Sequence, residues 1–279
     1  MTCSNPEQLA ALLQGWAGHV TLVVREPGFN FDDDVTFQPY QTAAQLVVLD
    51  TWRTAAAQPA NATSALSSAD HLVVWAAAPA MATWLDVLPP SVHPAALQVY
   101  EQQSSNGSST VVAACPKTLG ALTLFSPRLT GLPEAMGQLA ALTTLDLSAC
   151  GSLTGLPESM GQLAALTTLD LSHCQSLTGL PESLGQLAAL TTLNLSFCRS
   201  LTRLPESMGQ LAALTTLDLH FCDSLMGLPE SMGQLAALTM LNLSSCRSLT
   251  GLPESMGQLA ASVDERDHCS AAVGMFNTL

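Results

Sequence analysis

Leu153–Ser176 reads LTGLPESMGQLAALTTLDLSHCQS, and this 24-residue string recurs with few changes down the second half of the chain. Copies start at Leu129, Leu153, Leu177, Leu201 and Leu225; a sixth starts at Leu249 and breaks off near Ala261. A fixed period of this length marks a solenoid whose units cannot bury their apolar faces without neighbours. Within the unit, Leu169-Asp170-Leu171 has the alternation of a short strand buried on one face. Leu177, Leu180 and Leu187 are further inward positions, and Pro181 suits the first position of a helical turn. Glu182 complements the positive end of that turn. The expected fold is an α/β solenoid, with parallel strands lining the concave face and short PESMGQL turns covering the convex one.

One cysteine recurs per unit, at Cys150, Cys174, Cys198, Cys222 and Cys246. None stands in a CxxC or zinc-ligand spacing. Stacked coils bring such cysteines into a ladder with rungs about 4.8 Å apart, the spacing of neighbouring strands. They are read as buried thiols acting as small apolar residues, with disulfides between rungs as the alternative. Cys3, Cys115 and Cys269 carry no motif.

Composition narrows the function classes. Of 279 residues 48% are apolar and only 11% charged, which argues for an ordered chain with a substantial core. The net charge is −14 and Lys117 is the sole lysine, a balance that disfavours nucleic acid and anionic membranes. Neutral or basic partners are expected instead. The opening MTCSNPEQLAALLQGW lacks the positive region of a secretory signal. No apolar run reaches the roughly 18–20 residues needed to span a bilayer. Of four glycosylation sequons, at Asn61, Asn106, Asn194 and Asn242, the last two fall in predicted strands, where a glycan would obstruct the repeat face. A soluble cytoplasmic protein is the expectation.

The string LTTLDLSHCQSLTGLPESLGQL, Leu166–Leu187, fits the pattern LxxLxxLxLxxCxxLxxLPxx(apolar)xxL. It resembles the cysteine-containing leucine-rich repeats of plant-type intracellular disease-resistance receptors. It is also similar to leucine-rich proteins related to small-GTPase regulators, whose repeats are usually one residue shorter with Asn at the Cys position. The resemblance covers Leu119 to Ala261 and implies a leucine-rich repeat horseshoe. In function it implies recognition or signalling of the immune-receptor type. The chain has no P-loop, kinase signature or signalling domain, so a receptor's ATPase switch is not part of what is implied.

Before residue 119 a fainter period survives. Strand-like cores centre on Leu22, Leu46, Leu72, Leu97 and Leu122, and Leu85–Val92 (LDVLPPSV) matches LTGLPESM in its apolar and proline placement. Residues 1–118 are accordingly read as irregular N-terminal repeats, with Pro6–Trp16 a short capping helix. The alternative is a small separate α/β domain, with Ser104–Ser109 (SSNGSS) as its linker. Residues 119–261 form the regular array, and 262–279 a tail that abandons the repeat.

No signature of catalysis is present: no GxSxG, P-loop, GxGxxG or HExxH. Asp32-Asp33-Asp34 lacks the spaced ligands and glycine of a calcium loop. His173 and His220 lie near Cys174 and Cys222, but the register sends cysteines inward and histidines outward. No catalytic, cofactor-binding or metal-binding residue is therefore named, and a non-enzymatic protein is expected.

The informative positions are those where the copies differ. Before each repeat cysteine stand Ala149, His173, Phe197, Phe221 and Ser245; after it stand Gly151, Gln175, Arg199, Asp223 and Arg247. Arg203, His220, Met226 and Met240 are further departures. Phe197 and Phe221 hold equivalent places in adjacent coils, and exposed aromatics beside arginine have the composition of an interface hot spot. The candidate partner-binding set is His173, Phe197, Arg199, Arg203, His220, Phe221, Asp223, Met240 and Arg247. A second row, Asp146, Asp170, Asn194, Asp218 and Asn242, is read as a solvent-facing polar ladder whose asparagines relieve like-charge repulsion. The expected function is protein or peptide binding on the concave face. Two other readings stay open: an enzyme with its activity in residues 1–118 and targeted by the repeats, and a receptor fragment with no function of its own.

Overall fold

In a computed structural model the chain is described over four strand segments between residues 19 and 100, at Cys115, and continuously over 117–258. Ten parallel strands join one sheet. They are β1 His19–Arg25, β2 Leu46–Asp50, β3 His71–Ala77, β4 His93–Tyr100, β5 Ala121–Phe125, β6 Thr144–Asp146, β7 Thr168–Asp170, β8 Thr192–Asn194, β9 Thr216–Asp218 and β10 Met240–Asn242.

From β4 to β10 each strand pairs with the next in chain order, Leu97 beside Leu122, Leu169 beside Leu193, Leu217 beside Leu241. That is the stepping of a solenoid. The strand-like cores at Leu22, Leu46 and Leu72 fall on β1, β2 and β3. Their order, however, runs β4-β1-β3-β2. In an array of successive coils each strand lies beside its neighbours in sequence, the order that holds from β4 to β10. The proposed capping helix at Pro6–Trp16, the linker Ser104–Ser109, the acid run Asp32–Asp34, the sequons at Asn61 and Asn106, Cys3, Cys269 and the tail all lie outside the described residues.

Each regular coil is built alike. In the coil quoted above, Leu153, Met160, Leu163, Leu166, Leu169, Leu171 and Cys174 are all fully buried. The outer Leu156 is only partly buried and packs against this column, as does Leu180 in the following coil. The turns are five-residue 3-10 helices, Glu158–Gln162 and Glu182–Gln186 among them. Pro181 stands one place earlier than the sequence suggests, at the cap, with φ −69° and ψ 150°. Its ring fixes φ but leaves ψ extended, so the turn opens at Glu182. Glu182 serves the next coil more directly than its own: its carboxylate accepts from the Ser207 backbone N–H at 3.1 Å, as Glu134 does from Ser159 at 3.1 Å.

Coils are bound edge to edge by side chains as well as by the sheet. Thr167, Thr191, Thr215 and Thr239 each donate a hydroxyl to a threonine carbonyl one coil back, at 2.9–3.1 Å. Convex turns sit so close that a Cβ on Gly185 would fall 2.4 Å from the Ser207 carbonyl oxygen. The glycine of ESMGQ is thus a requirement of coil-to-coil approach.

Candidate recognition surface

The residues before the repeat cysteines share a conformation that their identities do not announce. Ala149, His173, Phe197, Phe221 and Ser245 all have φ between 58° and 62°. Left-handed backbone costs a non-glycine residue roughly 1–2 kcal/mol, and the coil repeats it because the loop must turn sharply from the strand row toward the buried cysteine. Each loop is held by its neighbour: the His173 N–H donates to Ser196 O at 2.8 Å and Phe197 N–H to His220 O at 2.7 Å. The left-handed site points its side chain out of the loop, away from the core.

Three consecutive coils place rings there. His173 stacks on Phe197 with centroids 4.4 Å apart and planes 8° from parallel. Phe197 stacks on Phe221 at 4.8 Å and 26°. His220 meets both phenylalanines edge-on, at 5.5 Å and 4.2 Å. Its Nδ1 lies within hydrogen-bond reach of the Ser244 hydroxyl and of the Ser244 carbonyl oxygen at 3.2 Å. The Ser244 hydroxyl donates onward to Asn242 Oδ1, so its oxygen is left to accept, and Nδ1 carries the proton.

A second column runs through the residues after the cysteines. Asp223 lies between two arginines, 3.9 Å from Arg199 Nε and 3.6 Å from Arg247 Nε. Both cationic side chains stay largely in water, at 56% and 77% exposure, against 29% for the acid. Exposed pairs of this kind contribute little to stability, typically under about 1 kcal/mol.

Of the nine candidates, seven are therefore gathered into two adjoining columns: His173, Phe197, Phe221 and His220, and Arg199, Asp223 and Arg247. They lie on the loops just beyond the strand ends, at the rim of the strand-lined face. Arg203 is exposed in the loop between Leu201 and Leu204 of the same coil as Phe221 and, among the described residues, forms no ion pair. Met240 stands apart on β10, on the strand face itself, and is 56% exposed. Met226 is more exposed still, at 61%.

The polar ladder is largely occupied by its own loops. Asp146, Asp170, Asn194, Asp218 and Asn242 each accept from the backbone N–H two residues on, at 2.8–3.1 Å. Asn194 also donates to Asp170 Oδ2 at 3.1 Å, the relief of like charge that the interposed asparagines suggest. Burial pushes the Asp146 carboxyl above the usual carboxylate range, against the pull of its Ser148 bonds, with the Asp170 charge adding to the rise.

The cysteine ladder faces the core. All five repeat cysteines are buried thiols, and each Sγ lies 3.1–3.3 Å from a leucine carbonyl one coil back. Burial raises the Cys198 thiol to about 12 and raises Cys174 and Cys222 as well, with the neighbouring thiols adding to the rise. Burial likewise raises Cys115 to about 12. Among the described residues no three His, Cys, Asp or Glu side chains converge as a metal site requires. Nor is any described helix long and apolar enough to cross a membrane.

Comparison with known proteins places the repeat. Residues 140–199 match one leucine-rich repeat family model and residues 189–211 a second. No curated protein matches the chain. Among solved structures, the leucine-rich repeat domain of the type III effector XopL is 24% identical with a TM-score of 0.43, covering 66% of this chain and 68% of that one. The Arabidopsis receptor kinase HAESA, solved with the peptide hormone IDA and the co-receptor SERK1, is 19% identical with a TM-score of 0.46. That match covers 88% of this chain, which spans only 35% of the receptor structure. The family matches fall on the coils whose leucines, cysteines and 3-10 turns stack at a period of 24 residues: these coils are leucine-rich repeats.

Proposed function

We propose that this chain is a non-enzymatic interaction module that binds a protein or peptide along the strand-lined concave face and its aromatic rim. One observation carries the reading. Three stacked rings and a fourth edge-on ring are held outward on left-handed loop positions, where they fill no part of the core. Elsewhere the corresponding positions hold Ala149 and Ser245, so the coil itself does not call for an aromatic there. Aromatics and arginine on an exposed surface are the residues that dominate binding hot spots. Met240 on β10 extends the apolar surface onto the strand face.

Leucine-rich repeat proteins work as interaction modules, and the receptor kinase HAESA is seen with a peptide hormone bound. By resemblance of the repeat, we place this module in recognition or signalling of the immune-receptor type inside the cell. The crossed strand order β4-β1-β3-β2 supports reading residues 1–118 as a unit distinct from the regular coils, joined to them where β4 pairs with β5 in the one sheet. Binding is assigned to the regular coils rather than to that unit.

Replacing Phe197, Phe221 and Arg199 together tests the assignment. Partner capture by the triple variant is expected to fall to background while its circular dichroism and melting stay close to the parent's. Undiminished capture by the folded variant rejects the rim as the binding surface.

A further inference from the structure

Among the described residues the two columns end together at one coil, and that end has a shape and a charge. The left-handed position after Phe221 is Ser245, with φ 62°. Phe197 and Phe221 hold the same backbone place and stack at 4.8 Å, so the coil of Ser245 presents a hydroxymethyl where the two before it present rings. Among the described residues the face of Phe221 turned toward Ser245 is covered by no ring of the next coil. Beside this vacant step stands Arg247, 77% exposed. It shares Asp223 with Arg199, so the column of two cations and one carboxylate carries a surplus positive charge. The chain as a whole carries −14.

We infer that this step is the anchoring pocket for an acidic peptide segment bearing an aromatic residue: the ring continues the stack over Ser245 and an adjacent Asp or Glu carboxylate meets Arg247. The inference rests on the interaction reading above and sharpens it. It reverses, for this one patch, the neutral or basic partner that the net charge suggests, because short-range pairing is decided by local charge and not by the sum over the molecule. Stacking selects a planar side chain, since offset rings gain from the same face-to-face geometry that Phe197 already makes with Phe221. The arginine fork then selects an anion on the neighbouring residue.

Selection of random 12-residue peptides displayed on phage, against the full chain, tests this directly. Enrichment of peptides with an aromatic residue next to Asp or Glu is expected. Binding of synthetic copies should drop at least tenfold in Ser245→Phe, where the chain's own ring fills the step, and in Arg247→Glu. Ser245→Phe keeps a residue that the fold already accepts at Phe197 and Phe221, so its circular dichroism and melting should match the parent's while binding falls. Selected peptides that are basic, or that bind Ser245→Phe unchanged, overturn this inference and leave the interaction reading standing. A selection that enriches no peptide at all counts against both.

Discussion

Two residues per coil carry information that composition alone hides, one inside the core and one outside it. The cysteine is the inner one. Its place in the ladder was legible from its 24-residue period, and so was its inertness, because no metal spacing accompanies it. Its raised proton affinity has a consequence for pH. Cys198 is held at about 12 against an ordinary value of 9.0, so the folded state keeps a proton that the unfolded chain gives up. Stability is then flat below pH 9 and falls as pH climbs from about 9 toward 12, since the native state binds more protons there. Urea denaturation of the parent at pH 8 and pH 10.5 should show that loss, and Cys198→Ala should show a smaller one. An equal loss in both would remove burial of this thiol as its cause. The outer residue, before the cysteine, was legible as variable but not as left-handed. Glycine, asparagine or aspartate at such a site would have announced φ above zero. Ala149, His173, Phe197, Phe221 and Ser245 announce nothing; in the first four the backbone N–H bonds the next coil, which holds the conformation against local preference.

At the scale of the element, the strand and the turn were read from the leucine and proline pattern, and the errors are small and physical. The strands shrink to three residues because inter-coil bonding from threonine hydroxyls and loop amides takes over at both ends. The turn starts at Glu182 and not at Pro181 because proline constrains φ without setting ψ. What sequence inspection could not supply was the tightness of the convex side. There the glycine of each turn lies against the serine of the next, as Gly209 does with the Ser231 carbonyl at 2.5 Å for an added Cβ. An added Cβ on Gly257, in the last described turn, would meet no described residue within 4 Å. The same chemical change should thus have different weight in two closely similar turns, ESLGQ and ESMGQ. Gly185→Ala is expected to destabilise by about 1–3 kcal/mol, the usual range for forcing atoms into packed space. Gly257→Ala is expected to stay within about 0.5 kcal/mol of the parent, as for open surface positions. Denaturant midpoints of the two variants decide it, and matching losses would show that the glycine acts through the backbone of its own turn instead.

At the scale of the whole molecule, the array separates the letters that fold from the letters to which binding is assigned, and a deletion of one full coil can pull them apart. The five complete copies share their buried leucines, their cysteine and their turn, so removing any one of them rejoins equivalent sequence at the seam. Stability in such an array is close to a sum of repeat and neighbour terms. Deleting 153–176 or deleting 225–248 should therefore lower the melting temperature by similar amounts, with one cooperative unit lost in each case. The rim responds differently. The first deletion removes His173 but leaves Phe197 on Phe221 and the Arg199–Asp223–Arg247 column whole. The second removes Met240, Ser245 and Arg247, and with them the step beside Phe221. Peptides selected on the intact chain should keep most of their affinity for the first variant and lose it for the second. Equal binding by two equally stable variants would mean that recognition is spread along the shared surface of the coils, and that the few residues departing from the repeat are bystanders to it.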